Sequence, residues 1–201
     1  MARNTGSKHK LCRQVGQALC GSAKCPVHKR PYPPGQHGPT KRKKISEYGL
    51  QLQEKQKLRY IFGVLEKQFR AYYEEAARQK GITGENLLRQ LNSRLDYLVY
   101  QAGFARTLDG ARQLVNHGHV TVNGNKVDIA SFAVRPGNVI SLREKSHDIV
   151  VVKDALAGVT SRPAYMDWNE NTLEATYVRY PSREEMPQQV QESMIVEFYS
   201  R

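Results

Sequence analysis

Apolar positions recur at spacings of three and four along residues 46–117 and then switch to short alternating runs, so the chain predicts helices first and strands after them. Ser46 opens a helix running to about residue 62, with Gly63 as its stop. Phe69, Tyr72, Tyr73, Ala76 and Ala77 share one face of a second helix, closed by Gly81, and Thr83 opens a shorter third through Leu87, Leu88 and Leu91. After Ser93, Leu95, Leu98 and Val99 form an apolar stripe that Gly103 ends. Thr107 caps the next helix, whose Leu108, Ala111, Leu114 and Val115 face inward, with Gly118 as terminator.

Beyond that point the period is two. Val120 and Val122 alternate with Thr121 and Asn123, and Asn123-Gly124 predicts a tight hairpin into residues 126–129. Pro136-Gly137 turns the chain into strands at 139–142 and 149–152. Residues 165–170, 174–180 and 194–199 read as strands completing the sheet, and 158–163 as a flexible link. The expected class is α+β. An extended basic arm (1–45) leads to a small helical unit (46–92), then to a module of two helices packed on a small antiparallel sheet (93–157), then to a C-terminal segment completing the body (158–201).

Charge changes this picture by its placement. The 201 residues carry 31 Lys+Arg against 19 Asp+Glu, a formal +12. Eleven of those bases fall in residues 1–44, which hold no acid, so the remainder is almost balanced. A segment so charged and so poor in aliphatics cannot offset its chain entropy alone and calls for a polyanion, a metal, or both. No run approaches the roughly 18 apolar residues of a spanning helix, and no apolar stretch follows the basic start, so a soluble cytoplasmic protein is expected, with no membrane partner and no small-molecule substrate.

Two constellations carry chemistry. Arg112, Gln113, Asn116 and His117 lie along one edge of a helix, with His119 starting the next strand and Arg94 and Arg106 flanking. This set offers phosphate contacts together with hydrogen bonds to sugars and exposed bases. Asp96 reads as a partner for a neighbouring arginine or as a cap. In the arm, His9-x₂-Cys12-x₇-Cys20-x₄-Cys25 is a full tetrahedral donor set for one structural Zn²⁺, with His28 as the alternative fourth ligand and three unliganded thiols against RNA as the rival reading. Four protein ligands leave no position for a catalytic water, and no carboxylate falls in a recognisable catalytic motif, so no enzyme is expected.

The segment from Ser93 to Tyr100 and the run Ala111-Arg-Gln-Leu-Val-Asn-His-Gly-His-Val-Thr-Val-Asn-Gly124 closely resemble the RNA-binding module named after small-subunit ribosomal protein S4. Arg30-Pro-Tyr-Pro-Pro-Gly-Gln-His-Gly38, Gln53-Glu-Lys-Gln-Lys-Leu-Arg-Tyr-Ile-Phe-Gly63, Glu66-Lys-Gln-Phe-Arg70 and the ending Val196-Glu-Phe-Tyr-Ser-Arg201 extend the resemblance to the whole bacterial or organellar family, in its zinc-site-bearing form. Some relatives carry four cysteines in the arm, with His9 standing where the first would be.

The resemblance implies a structural constituent of the small subunit that binds the 5′-domain junction of 16S rRNA first and nucleates 30S assembly. It also implies a place lining the mRNA entry channel beside ribosomal proteins S3 and S5, with a part in mRNA unwinding and translational accuracy. RNA contacts would come from Arg3, Arg13, Arg30, Gln36, His37, Lys41, Arg42, Lys43 and Lys44 in the arm. Lys55, Lys57 and Arg59 would contribute from the first helix, and Arg94, Arg106, Arg112, Gln113, Asn116, His117 and His119 from the module. By the same resemblance, Gly35 and Gly38 would let the arm backbone approach phosphates. A rival of another class is a paralogue free of the ribosome that uses the same module as an RNA-binding regulator.

Overall fold

A computed structural model describes residues 6, 7, 9–22, 24–40 and 44–200, and the chain divides into two compact units, residues 1–84 with 189–201 and residues 85–188. Among the described residues no helix is long and apolar enough to cross a membrane.

The first unit contains α1 (Lys10–Val15), a 3₁₀ turn at Pro26–His28, α2 (Glu47–Ile61) and α3 (Glu66–Arg78). Ser46 caps α2 as expected, its side chain accepting from the Gly49 amide at 3.2 Å. The helix stops where Gly63 takes a left-handed φ of 59°. The C-terminal residues return to this unit as a helix (Glu192–Tyr199) lying on α2. This corrects the strand expected at 194–199. Ile195 is buried, and Phe198 and Tyr199, three and four residues on, meet Tyr48, Phe69 and Tyr73. A six-residue window is too short to separate a period of two from one of 3.6.

The second unit holds the body of α4 (Thr83–Asn92), then α5 (Leu95–Gln101), α6 (Leu108–Asn116), β1 (Val120–Val122), β2 (Asn125–Lys126), β3 (Val139–Leu142), α7 (Val150–Ala157), β4 (Met166–Asn169) and β5 (Glu174–Tyr177); the C-terminal helix of the first unit is α8. The strands form one antiparallel sheet in the order β2-β1-β3-β5-β4. The hairpin turns at Asn123 and Gly124, both with positive φ (51° and 78°), the geometry for which Asn-Gly is the preferred pair. Leu95, Leu98 and Val99 from α5 and Ala111, Leu114 and Val115 from α6 pack with Val120, Ile140, Leu142, Tyr165 and Tyr177 into one core.

Three expectations change here. The second hairpin strand ends at Lys126, with one further bond from the Val127 amide to the Val120 carbonyl at 3.2 Å, instead of reaching 129. Residues 150–152 begin α7, because Val152 and Ala155, three apart, are the buried pair while Val150 and Val151 face outward. The segment 158–163 is pinned: the Arg162 Nε donates to the Ala102 carbonyl at 3.0 Å, and its guanidinium sits 3.9 Å from the centre of the Trp168 ring. Strands β4 and β5 do complete the sheet, since β5 pairs directly with β3.

Candidate metal centre and nucleic-acid interface

His9 stands at the N-cap of α1, which carries Cys12 on its inner face, and Gly16, with φ 76°, turns the chain back through a loop that delivers Cys20 and Cys25. The donor atoms of His9, Cys12, Cys20 and Cys25 all lie within 4.8 Å of one another, and His9 Nδ1 stands 3.6 Å from Cys20 Sγ. Bonds of about 2.0–2.3 Å at tetrahedral angles place ligand atoms about 3.3–3.8 Å apart. The set therefore fits one zinc ion with slight contraction, and the metal would close the loop structurally. His28, exposed at the end of the 3₁₀ turn, lies outside this group.

None of the three cysteines is in a disulfide, and Cys12 and Cys25 are buried beside Leu19 and Val27. Burial, and then the neighbouring Cys20 and Cys25 charges, push the Cys12 thiol up to about 11. Crowded thiolates of this kind are stabilised by a cation rather than by water. Tyr60 of α2 packs against the cluster and hydrogen-bonds to Cys12. Burial and the same sulfurs raise its phenol well above the ordinary range.

The arm continues over α1. Arg13, an expected RNA contact, instead donates to the Tyr32 carbonyl at 3.2 Å and the Pro33 carbonyl at 3.4 Å, with its guanidinium 5.1 Å from the Tyr32 ring centre. Gly38 is required by the chain itself: a Cβ there would stand 1.9 Å from the Pro33 carbonyl oxygen, so protein backbone, not a phosphate, presses on it. Arg30, Gln36, His37 and Lys44 are exposed. Arg3, Lys41, Arg42 and Lys43 lie outside the described residues.

The helix cations assigned to RNA divide sharply. Lys55 is buried, bonded to Glu66 at 2.9 Å and 4.5 Å from the Phe198 ring centre. Lys57 is buried against Glu54, and Arg59 pairs with Glu66 at 2.8 Å. Glu66 also accepts from the Tyr199 hydroxyl at 2.8 Å. Although burial works the other way, the bonds from Lys55, Tyr199 and Arg59 hold its carboxyl below the ordinary range. Lys55 and Arg59 tie α2 to Glu66 of α3, and the heads of Lys55 and Lys57 are buried away from a ligand, while Arg59 stays partly exposed.

In the second unit Asp96, fully buried, accepts from Arg94 (Nε 3.0 Å, Nη2 2.7 Å), from Arg112 (Nε 2.9 Å, Nη2 2.7 Å) and from the Tyr97 amide. Asp96 thus does hold neighbouring arginines. Arg94, 2% exposed, is removed from the surface set by this contact. Arg112 keeps 13% of its side chain exposed, at the rim of the buried group. Gln113, Asn116 and His117 are exposed along α6, and the His117 ring lies 6.1 Å from that of His119, which is fixed by Ser146 Oγ at 2.9 Å. Arg106 is exposed beside them in sequence but leans on the Asp154 carbonyl.

Sequence reasoning passed over Tyr60 and, around the metal cluster, the cations Lys10, Lys24 and Lys29, which line one hollow with Arg13, His28 and Arg30. Their sign was legible in the acid-free arm. Their convergence depends on the loop closure that the ligand spacing implies.

Comparison with known proteins places both regions. A family model described as the ribosomal protein S4/S9 N-terminal domain matches residues 3–92, and one described as the S4 domain matches residues 93–140. The chain is 55% identical over 201 residues, the full length of both proteins, to the small ribosomal subunit protein uS4 of Brevibacillus brevis and to that of Oceanobacillus iheyensis. It is 54% identical, again over both full lengths, to that of Bacillus cereus.

Proposed function

The chain belongs to the family of small ribosomal subunit protein uS4, and from that premise we propose that it is a primary binder of 16S rRNA. Its role is structural, not enzymatic. It joins the 5′-domain junction early, nucleates 30S assembly, and lines the mRNA entry channel beside ribosomal proteins S3 and S5, where it contributes to mRNA unwinding and accuracy in the cytoplasm. The observation that carries the reading is the exposed edge of α6, where Gln113, Asn116 and His117 stand beside the rim guanidinium of Arg112 on a rigid αβ frame. Such an edge gives hydrogen-bond donors at fixed spacing for backbone and unpaired bases, which is how folded RNA is recognised. The acid-free arm supplies the salt-sensitive part of the affinity through Arg3, Arg30, Lys41, Arg42, Lys43 and Lys44, with Gln36 and His37 adding hydrogen bonds, and Arg106 and His119 extend the edge.

One Zn²⁺ held by His9, Cys12, Cys20 and Cys25 belongs to the same reading, supported by the fit of the four donor atoms. When bound it supplies crosslinking rather than catalysis, tying α1 to the loop behind it.

The test is binding of the purified chain to a 16S rRNA 5′-domain transcript across a salt series. A steep fall of log affinity with log salt is expected, each phosphate contact contributing a slope of order one. A flat slope would remove the polyanion reading. In sucrose gradients of cell extract the protein should sediment with small subunits, and a pool mainly free of them would favour the regulator class instead.

A further inference from the structure

The cation-lined hollow beside the metal cluster shares its wall with that cluster. Lys10 and Arg13 project from α1, and Lys24, His28, Lys29 and Arg30 from the loop and the 3₁₀ turn across from it. His9 and Cys25 line the same hollow. The ligand set is divided in the same way, His9 and Cys12 on the α1 side and Cys20 and Cys25 on the loop side. The arm has no carboxylate with which to hold these two basic walls together against their own repulsion. Beyond the small buried cluster of Cys12, Leu19, Cys25 and Val27 and the bonds from Arg13 to the Tyr32 and Pro33 carbonyls, two ligands can hold them: a metal bonded to both sides, or a phosphate backbone lying between them.

We propose that zinc and RNA bind this arm with positive coupling, the hollow taking backbone phosphates and the four ligands setting the separation of its two walls. This rests on the zinc and rRNA reading above and adds the link between them. Each ligand favours the same placement of the loop on α1, so whichever binds second meets walls already arranged. The charge of about −1 on a zinc with three thiolates opposes a phosphate. However, Cys12 and Cys25 are buried while Lys10, Lys24, Lys29 and Arg30 are exposed, so a phosphate meets the cations before the sulfurs.

The experiment is a thermodynamic cycle on the full chain under reducing conditions. Zinc affinity is measured by competition with a chromophoric chelator, with and without the 5′-domain 16S rRNA transcript, and transcript affinity is measured with and without zinc. Both should rise by the same factor, about tenfold, because coupling is reciprocal. In the double variant Lys24→Gln, Lys29→Gln, zinc should still bind without RNA, and the factor by which RNA raises its affinity should fall toward one. If zinc and RNA both bind and the factor is one, the coupling is overturned and the proposed function stands. Absence of zinc uptake overturns the metal reading and the coupling together. A double variant that keeps the whole factor overturns the hollow as its route.

Discussion

The arm and the S4-type module both present basic surfaces, but they hold them in place by opposite means. The module rests on an apolar core from Leu95 to Tyr177, and the one carboxylate buried within it, Asp96, is matched by Arg94 and Arg112. Among its described residues the arm buries four apolar or sulfur-bearing side chains, Cys12, Leu19, Cys25 and Val27, and gathers four donor atoms within 4.8 Å of one another. Burial of the module's core stabilises it whatever is bound, whereas the arm, with far less to bury, stands to gain most from the proposed zinc. The contrast separates a permanent reading surface from one that its proposed ligands reinforce.

The largest effect should come from removing the metal. Chelation, or Cys25→Ser, takes away a contribution that in isolated structural zinc sites is of order 10–16 kcal/mol. Amide hydrogen exchange in residues 9–30 should then approach unprotected rates while residues 95–177 keep their protection. Equal loss in both regions would break the comparison. The mirror experiment is Asp96→Ala, which strands two guanidinium groups in the interior of the second unit and should cost about 3–5 kcal/mol. It should lower the melting temperature of that unit and leave zinc stoichiometry at one.

How far the sequence spoke follows the same division. The glycine stops, the Ser46 and Thr107 caps and the Asn123-Gly124 hairpin were readable because each is a local device with its own backbone geometry. The four metal donors were readable because zinc needs donor types at short spacings. Lys55 and Lys57 were expected to face RNA, but a cationic residue type does not reveal its own burial, which here comes from packing of α2 on α3 and α8. Glu66 and Tyr199 come from α3 and α8, and Tyr199 lies 133 positions from Glu66. The apolar runs at 149–152 and 194–199 misled for want of length, since tertiary burial of Val152 and Ile195 decides their form.

Smaller effects test the reading surfaces themselves. Arg112 is a poor probe, because its loss also uncovers Asp96; a double replacement of Arg112 and His117 would weaken the fold as well as the contact. Gln113→Ala with His117→Ala should reduce affinity for the 5′-domain transcript about tenfold without shifting the melting temperature. Unchanged affinity would remove the α6 edge from the interface. In the arm, Tyr60→Phe deletes the hydrogen bond to Cys12 and keeps the ring's packing. Loss of a partner to a metal ligand should weaken zinc about tenfold, a change that chelator competition measures, while with zinc saturating the transcript affinity should stay as it was.

Acid separates the two regions by the gentlest means. At the edge of the second unit Glu185 accepts a bidentate pair of bonds from Arg179, both 2.7 Å, and a bond from the Ser182 amide at 2.8 Å. Arg179 first, and then Ser182, lower its carboxyl from 4.5 to about 2. The folded value lies below the unfolded one, so this clasp contributes fully above about pH 4.5 and is lost as the pH falls toward 2. The clasp is exposed and screened, so its share is small. Glu185→Gln should leave the melting temperature at pH 7 within a degree or two and flatten its decline between pH 4.5 and 2. The arm has no carboxylate to titrate in that window, and a zinc held by sulfur ligands is lost to proton competition at milder acidity than this. On acidification zinc should therefore leave before the clasp opens, and Glu185→Gln should alter only the second event; a variant that changed the pH of metal release would show the two regions to be one cooperative unit.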